Sequence, residues 1–128
     1  MPDKCRVLCV DDHHDTSEML QLILSQEDST VLTATTVEDA LKMAASHEFD
    51  LYVMDRRLPD GSGLELCRRL AEMTPDVPCI FYSGDAYAIH RSEALAAGAE
   101  DYVVKPNIEG LIERVRDLLA ERQCAAAG

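Results

Sequence analysis

The sequence has no apolar run that approaches the roughly 18 residues needed to cross a membrane. Its first residues, Met1-Pro2-Asp3-Lys4, also lack the basic stretch followed by an apolar segment that marks a secretion signal. We therefore expect a cytoplasmic protein without a membrane partner.

Basic residues are scarce: 12 lysines and arginines stand against 24 aspartates and glutamates, which gives a formal net charge of -12. Binding to a polyanion depends on a basic surface, so the composition argues against nucleic acid as a direct partner. Most of the excess negative charge is expected to lie on a solvated surface that keeps the protein in solution.

The five cysteines are an odd number, and no two of them are spaced as Cys-x-x-Cys. We expect reduced thiols, with neither a disulfide nor a zinc site. Cys9 and Cys79 lie inside apolar runs and are predicted to be small buried hydrophobic residues.

A chain of 128 residues, 47% of them hydrophobic, is suited to one domain with one core. Short apolar runs alternate five times with amphipathic helical stretches, and the runs are apolar on successive residues. This pattern predicts an α/β domain, (βα)5, in which helices cover both faces of a five-stranded parallel sheet in three layers. The domain is expected to fill the chain, with a core over about residues 5–122 and a frayed tail at 123–128.

Periodicity and turn residues locate the individual elements. The predicted strands cover residues 6–10, 30–34, 51–55, 79–82 and 101–104. The first, fourth and fifth helices are predicted at 16–26, 88–97 and 108–122, and Thr35 with Glu38 forms a capping box for the second. The third helix is expected to turn Leu66, Leu70 and Met73 inward.

Four of the predicted strands run directly into a charged or hydroxyl residue. Asp11 and Asp12 follow the first strand, Asp55 ends the third, Ser83 follows the fourth, and Lys105 follows the fifth. Ligands of open parallel sheets bind beyond the carboxyl ends of the strands, so these residues are expected to form one polar site.

The three carboxylates of that site need a neutralising partner. At an effective dielectric of about 20 and a separation of about 4 Å, each pair repels by about 4 kcal/mol, so either a proton or a metal ion is expected among them. Because the ligands are oxygens, Mg²⁺ is favoured, held by Asp11, Asp12 or both. Asp55 would complete the metal shell and act as the nucleophile in phosphoryl transfer, with Ser83 and Lys105 contacting the phosphoryl oxygens.

Four segments resemble those of the response-regulator receiver domains of two-component signalling. They are Val10-Asp11-Asp12, Asp55 with Leu58-Pro59-Asp60-Gly61-Ser62-Gly63, Ser83-Gly84, and Lys105-Pro106. The resemblance covers about residues 5–122 and implies a doubly wound, flavodoxin-like sheet in which the second strand lies outside the first, followed by the third, fourth and fifth.

The resemblance also implies roles for individual residues. Asp55 resembles the phosphoacceptor, and Mg²⁺, for which Mn²⁺ can substitute, would be held by Asp11, Asp12, Asp55 and the backbone carbonyl of Arg57. Ser83 resembles the switch hydroxyl, Lys105 the phosphate-sensing lysine and Tyr102 the switch aromatic, and the Lys105–Pro106 peptide bond is implied to be cis.

A signalling cycle follows from those implied roles. The phosphoryl group would come from a histidine kinase or a histidine phosphotransfer protein. Ser83 would then move inward, Tyr102 would turn inward after it, and the surface of the fourth helix, fifth strand and fifth helix would change. That surface would be recognised by a downstream protein target or an attached output domain.

Other residues near the site have two interpretations. Arg57 and Asp85 either face each other across the mouth of the site and slow attack by water, or are solvated loop charges. His13 and His14 fall on the loop that opens the first helix, where they are either exposed side chains or, for one of them, a group that tunes metal affinity.

Three alternative functions have weaker support. A phosphatase of the haloacid dehalogenase type needs an aspartate two residues after its nucleophile, where this chain has Arg57, and a nucleotide-binding domain needs a glycine-rich phosphate loop after the first strand. A phosphorylation-independent interaction module would not need the complete set of acids, Ser83 and Lys105. We therefore expect a phosphoacceptor and not an enzyme, apart from self-phosphotransfer and autodephosphorylation, and the sequence leaves open whether it belongs to a longer protein.

Overall fold

The computed structural model describes residues 5–26, 29–84 and 87–122. Five parallel strands form one sheet: β1 (Cys5–Val10), β2 (Ser29–Ala34), β3 (Leu51–Met54), β4 (Cys79–Ser83) and β5 (Asp101–Val104). Five helices follow them in turn: α1 (His14–Ser25), α2 (Val37–Ser46), α3 (Gly63–Met73), α4 (Ala88–Ala96) and α5 (Ile108–Arg122). The predicted (βα)5 architecture and the spatial order β2-β1-β3-β4-β5 are confirmed. Asp85 and the predicted tail lie outside the described residues.

Both faces of the sheet are buried because successive strand residues point in opposite directions. On one face, Leu8, Tyr52 and Phe81 pack with buried residues of α2, α3 and α4. On the other, Val7 and Ile80 pack with buried residues of α1 and α5. This double coverage is the reason the strands are continuous apolar runs in the sequence. Within the described residues, no helix combines the length and apolar character that a membrane span requires.

The pairing of β1 with β3 brings the polar strand ends together. Val10 lies opposite Met54 at the end of the paired segment, and the amide nitrogen of Asp55 donates to the carbonyl oxygen of Val10 at 2.9 Å. On the other side of β1, the amide nitrogen of Asp11 donates to the carbonyl oxygen of Ala34 at 3.0 Å. The ladder therefore fixes Asp11 and Asp55 beside each other at one edge of the sheet.

Helix starts differ from the predicted ones where a cap was misjudged. The second helix is capped by Thr36, whose Oγ1 accepts from the amide nitrogen of Asp39 at 3.0 Å, so the capping box predicted at Thr35 was wrong. Two further amides of that helix, those of Val37 and Glu38, donate to the carboxylate of Asp60 at 2.7 and 3.0 Å. The start of α2 is therefore capped in part by a carboxylate from a distant loop, and not by the predicted side chain of Glu38. No local sequence pattern indicates this contact.

Two other predictions about the helices were also wrong. α1 begins at His14, two residues before the predicted start, and His13 is its N-cap. Met73, predicted to face the core, is 44% exposed because α3 ends there and the chain turns away at Thr74. Element ends are where helical periodicity carries the least information.

The turn-rich segment after β3 forms a small structure of its own. Arg57–Leu58 pairs antiparallel with Gly61–Ser62, a hairpin that the sequence analysis did not predict. Ser62 then caps α3, because its Oγ accepts from the amide nitrogens of Leu64 and Glu65 at 3.0 and 3.3 Å. The hairpin thus joins the end of β3 to the start of α3.

The cysteines only partly follow the prediction. Cys9, Cys67 and Cys79 are buried free thiols, and burial raises the pKa of Cys9 to about 12, so this thiol stays protonated. Cys5, however, is disulfide-bonded, so the expectation of reduced thiols throughout was wrong. A disulfide depends on the spatial separation of two residues, which cysteine counting does not reveal.

Gly63 lies where the backbone segments before and after the hairpin approach each other closely. Its amide nitrogen donates to the carbonyl oxygen of Arg56 at 2.8 Å. A Cβ atom added to Gly63 would clash with the carbonyl oxygen of Asp55 and would lie 3.0 Å from the ring of Phe81. Asp55, the residue that follows β3, is therefore held in place by a close backbone approach that only glycine at position 63 allows.

Gly63→Ala is expected to lower the free energy of unfolding by about 1–3 kcal/mol, because the backbone around Asp55 must shift to admit the methyl group. Gly61→Ala is the matched control, since its Cβ would meet the nearest atom, Cγ2 of Val37, at 3.4 Å. Urea unfolding of the two variants provides the comparison. Equal losses of stability would contradict a special constraint at Gly63.

Candidate functional site

A cavity of about 530 Å³ opens at the carboxyl ends of the strands. Six of the predicted site residues line it: Asp12, His13, Asp55, Arg57, Ser83 and Lys105. Thr16 also lines it and was not predicted to do so. The structure therefore brings residues that are up to 93 positions apart in the chain to one polar surface.

The three carboxylates differ in their exposure. Asp11 and Asp55 are buried, whereas the side chain of Asp12 is partly exposed. One oxygen of Asp55, Oδ1, accepts from the amide nitrogen of Arg56 at 2.7 Å, and Oδ1 of Asp11 accepts from the amide nitrogen of His13 at 2.8 Å. In each buried carboxylate, the second oxygen, Oδ2, faces a cationic partner.

Lys105 is that partner for both buried acids. Its Nζ donates to Oδ2 of Asp11 at 2.8 Å and to Oδ2 of Asp55 at 3.3 Å. Partial burial alone would lower the pKa of Lys105, but the hydrogen bonds and charges of the two acids outweigh it and raise that pKa above 10.5. Of the two acids, Asp11 is the nearer partner. The Lys105–Pro106 peptide bond is cis, as the resemblance implied.

His13 contacts the same cluster more closely than the sequence indicated. Its Nδ1 lies 2.8 Å from Oδ1 of Asp11, 3.4 Å from Oδ1 of Asp12 and 3.6 Å from Oδ2 of Asp55. The hydrogen bond to Asp11 and its charge raise the pKa of the imidazole above 6.5. His14 instead pairs with Glu18 at 2.9 Å on the exposed side of α1, away from the cluster.

The cluster has the donors that a divalent cation needs. One ligand atom each from Asp11, Asp12, His13 and Asp55 lies within 4.8 Å of all the others. Three of these donors are carboxylate oxygens, which are the ligands that Mg²⁺ accepts. The residues therefore fit the predicted metal, whereas the role of the Arg57 carbonyl stays a prediction.

The two predicted switch residues lie deeper than the cavity mouth. Ser83 is buried and ends β4 beside the cavity. Tyr102 is 4% exposed, and its ring stacks on Phe81 with centroids 5.9 Å apart. The predicted inward turn of Tyr102 assumes an outward ring, but the ring is already inside in this structure, because Phe81 provides an apolar surface for it.

A polar contact that the sequence analysis missed links the site to α4. Arg56, next to Asp55, reaches Glu93 with its Nη2 at 3.4 Å, and Nδ1 of His90 lies 3.5 Å from the same oxygen. Arg91, also on α4, donates from Nη1 to the carbonyl oxygen of Tyr102 at 3.1 Å. No sequence pattern pairs an arginine with a glutamate 37 residues later, so only the fold reveals this link.

Comparisons with known proteins agree with this geometry. A family model described as the response regulator receiver domain matches residues 7–116. The response regulator ArlR of Staphylococcus aureus is 35% identical over 115 residues, 89% of this chain and 52% of its own length, so the chain spans about half of this curated relative.

Two solved structures are similar to the whole described fold. A CheY-like receiver domain protein from Methanospirillum hungatei superposes with a TM-score of 0.88 at 30% identity, covering 94% of this chain and 97% of that one. The response regulator TrrA of Thermotoga maritima, solved in complex with Mg²⁺ and beryllium fluoride, gives a TM-score of 0.80 at 35% identity, with coverages of 89% and 98%.

Lys105→Met is expected to lower the free energy of unfolding by about 2 kcal/mol in EDTA, because two buried carboxylates lose their ammonium partner. Mg²⁺ should restore part of that loss by supplying another cation. Lys42→Met is the control, since Lys42 and its partner Glu38 are both 71% exposed at their side chains. Urea unfolding with and without Mg²⁺ measures the difference, and equal stability of the two variants in EDTA would show that solvent, not Lys105, neutralises the acids.

Proposed function

Because the chain belongs to the response regulator receiver domain family, we propose that Asp55 accepts a phosphoryl group from a histidine kinase or a histidine phosphotransfer protein. The observation that supports Asp55 most directly is the pair of contacts made by its carboxylate. One oxygen is held by the amide of Arg56, and the other faces Lys105 at the edge of the cavity. Such a carboxylate is oriented and reachable by a phosphodonor.

The transfer forms one bond and breaks another. An oxygen of Asp55 bonds to phosphorus while the bond from phosphorus to the donor histidine nitrogen breaks, which leaves a mixed anhydride. Asp11, Asp12, Asp55 and the carbonyl of Arg57 would hold Mg²⁺, or Mn²⁺ in its place, which neutralises negative charge on the phosphoryl oxygens. Lys105, released from Asp55, then pairs with one phosphoryl oxygen, and Ser83 donates a hydrogen bond to another.

The same site accounts for the return of the protein to its starting state. Water attacks the phosphorus of the anhydride, the bond from phosphorus to the Asp55 oxygen breaks, and inorganic phosphate leaves as the carboxylate is regenerated. The protein is therefore a phosphoacceptor with self-phosphotransfer and autodephosphorylation, and not a classical enzyme. The complete set of acids with Ser83 and Lys105 favours this function over a phosphorylation-independent module, and Arg57 stands where a phosphatase would need its acid.

Phosphorylation would change the surface made by α4, β5 and α5. A ligand shifts a two-state equilibrium only through contacts that differ between the states, and a change from 1:99 to 99:1 takes about 5.5 kcal/mol. Arg56 and Arg91 are the residues whose contacts would change, since Arg56 joins the position after Asp55 to α4 and Arg91 joins α4 to β5. The exposed side chains of Tyr87 and Ile89 on this surface suit a protein partner, either a downstream target or an attached output domain.

The remaining expectations concern the partners and the cellular compartment of the domain, and they follow from its charge and its family. A domain with 24 acids and 12 bases is suited to protein partners and not to direct binding of nucleic acid. We expect it to act in the cytoplasm, as one domain whose core covers most of the chain.

Incubation with a small acyl phosphate and Mg²⁺ is expected to add one phosphoryl group per molecule, detected by intact mass spectrometry. Asp55→Asn should abolish the addition because the amide oxygen is a poor nucleophile. Asp76→Asn is the matched control, since Asp76 is an exposed carboxylate preceding β4, at the other end of the sheet. Labelling that persists in Asp55→Asn, or a wild-type protein that takes no label with Mg²⁺ present, would refute the assignment.

Arg57→Ala tests whether this side chain limits access of water. Arg57 lines the cavity and is exposed, while its hypothetical partner Asp85 lies outside the described residues. An exposed pair is worth at most about 1 kcal/mol, so the aspartyl-phosphate lifetime should shorten by up to about fivefold. Loss of the phosphorylated mass is followed over time after the donor is removed, and an unchanged lifetime means that Arg57 has no such role.

A further inference from the structure

His13 brings a nitrogen into a cluster whose other donors are all oxygens. We propose that His13 is a ligand of the metal at this site and raises the affinity of the site for Mn²⁺ and Co²⁺ relative to Mg²⁺. This inference rests on one part of the proposed function, namely that the carboxylate cluster holds a divalent metal ion.

The spacing of the donors supports a ligand position for the ring. Nδ1 of His13 is 2.8 Å from Asp11, 3.4 Å from Asp12 and 3.6 Å from Asp55, measured to one oxygen of each. Donors about 2.1 Å from one octahedral ion lie about 3.0 Å apart at adjacent positions and about 4.2 Å apart at opposite ones. The three measured distances are close to that range, so Nδ1 has the separation of a fellow ligand and is too far from the oxygens to mark the position of the ion.

The backbone holds His13 in place, and the ring contacts the carboxylates of the cluster. Its amide nitrogen donates to Oδ1 of Asp11 at 2.8 Å, which fixes the main chain beside the cluster. His13 is the N-cap of α1, yet its side chain makes no capping hydrogen bond. The side chain is also 65% exposed, so the ring can adjust toward an ion without disturbing the core.

The identity of the donor atom determines which metal ions the site binds more tightly. Mg²⁺ prefers oxygen ligands and retains several waters, so an imidazole in place of a water adds little to its affinity. Mn²⁺ and, more strongly, Co²⁺ accept imidazole nitrogen. The ring would bind in its neutral form, with Nδ1 unprotonated toward the metal and the ring proton on Nε2.

Titration of Mn²⁺, Co²⁺ and Mg²⁺ into the full chain tests the inference. Free Mn²⁺ is followed by its electron paramagnetic resonance signal, with Co²⁺ and Mg²⁺ measured by competition. His13→Ala should weaken Mn²⁺ and Co²⁺ by about tenfold and Mg²⁺ by less than about threefold. His14→Ala is the matched control, because His14 is the adjacent histidine and pairs with Glu18 outside the cluster. It should leave all three affinities unchanged.

A spectroscopic readout separates ligation from a structural effect. Pulsed electron paramagnetic resonance of the Mn²⁺ form should show coupling to a histidine ¹⁴N in the wild type and in His14→Ala, and none in His13→Ala. His13→Glu, which supplies an oxygen instead, should retain Mg²⁺ and lower the ratio of Mn²⁺ to Mg²⁺ affinity below the wild-type value.

Three results would overturn the inference: no binding of Mn²⁺, a wild-type Mn²⁺ complex without nitrogen coupling, or an equal loss of all three metals in His13→Ala. Labelling of Asp55 in Mg²⁺, measured on the same samples, keeps the two proposals apart. If labelling proceeds while nitrogen coupling is absent, the inference fails and the proposed function stands. Nitrogen coupling without labelling supports the ligand role of His13 and contradicts the proposed function.

Discussion

The carboxylates of Asp11 and Asp55 share the single ammonium group of Lys105, at 2.8 and 3.3 Å. The two acids cannot move apart, because backbone hydrogen bonds to neighbouring strands fix the residues that carry them. Their negative charge must therefore be compensated where it is, by a cation or by a proton. Lys105 provides that compensation here, the ring of His13 contacts the same acids, and a divalent ion fits the same cluster. The requirement for a cation explains why groups from three strand ends and the start of α1 meet at one place.

The same requirement gives the site its capacity to signal. A phosphoryl group on Asp55 would add negative charge at the point where Lys105 already neutralises two carboxylates. The hydrogen bonds of the Lys105 ammonium group would then have to be redistributed among these groups. The neighbouring Arg56 contacts Glu93 on α4 and would carry a change at that point to the helix, while Arg91 joins α4 to the backbone of β5. Tyr102 is already packed on Phe81, so the surface change that we propose would involve these polar contacts more than an inward turn of the ring.

Much of the fold was predictable because burial on both faces of a parallel sheet leaves a strong local pattern. Strand runs such as the one ending at Val10, and the buried stripe of α5 that includes Leu111 and Val115, require only the identities of neighbouring residues. The predictions that failed depended on distant partners or on element ends. Asp60 caps α2 from a loop 23 residues away, and Cys5 forms a disulfide that counting cysteines had excluded.

The sequence by itself determined the family, the five-stranded architecture and the acids, hydroxyl and lysine at the strand ends, because each is expressed in residue type and short-range order. The tertiary structure alone decided which groups touch. It placed the nitrogen of His13 within 3.6 Å of three carboxylates, made Asp11 the nearer partner of Lys105 and joined Arg56 to α4. Such contacts depend on side-chain directions and on strand register across the sheet, and neither is encoded in the spacing of residues along the chain.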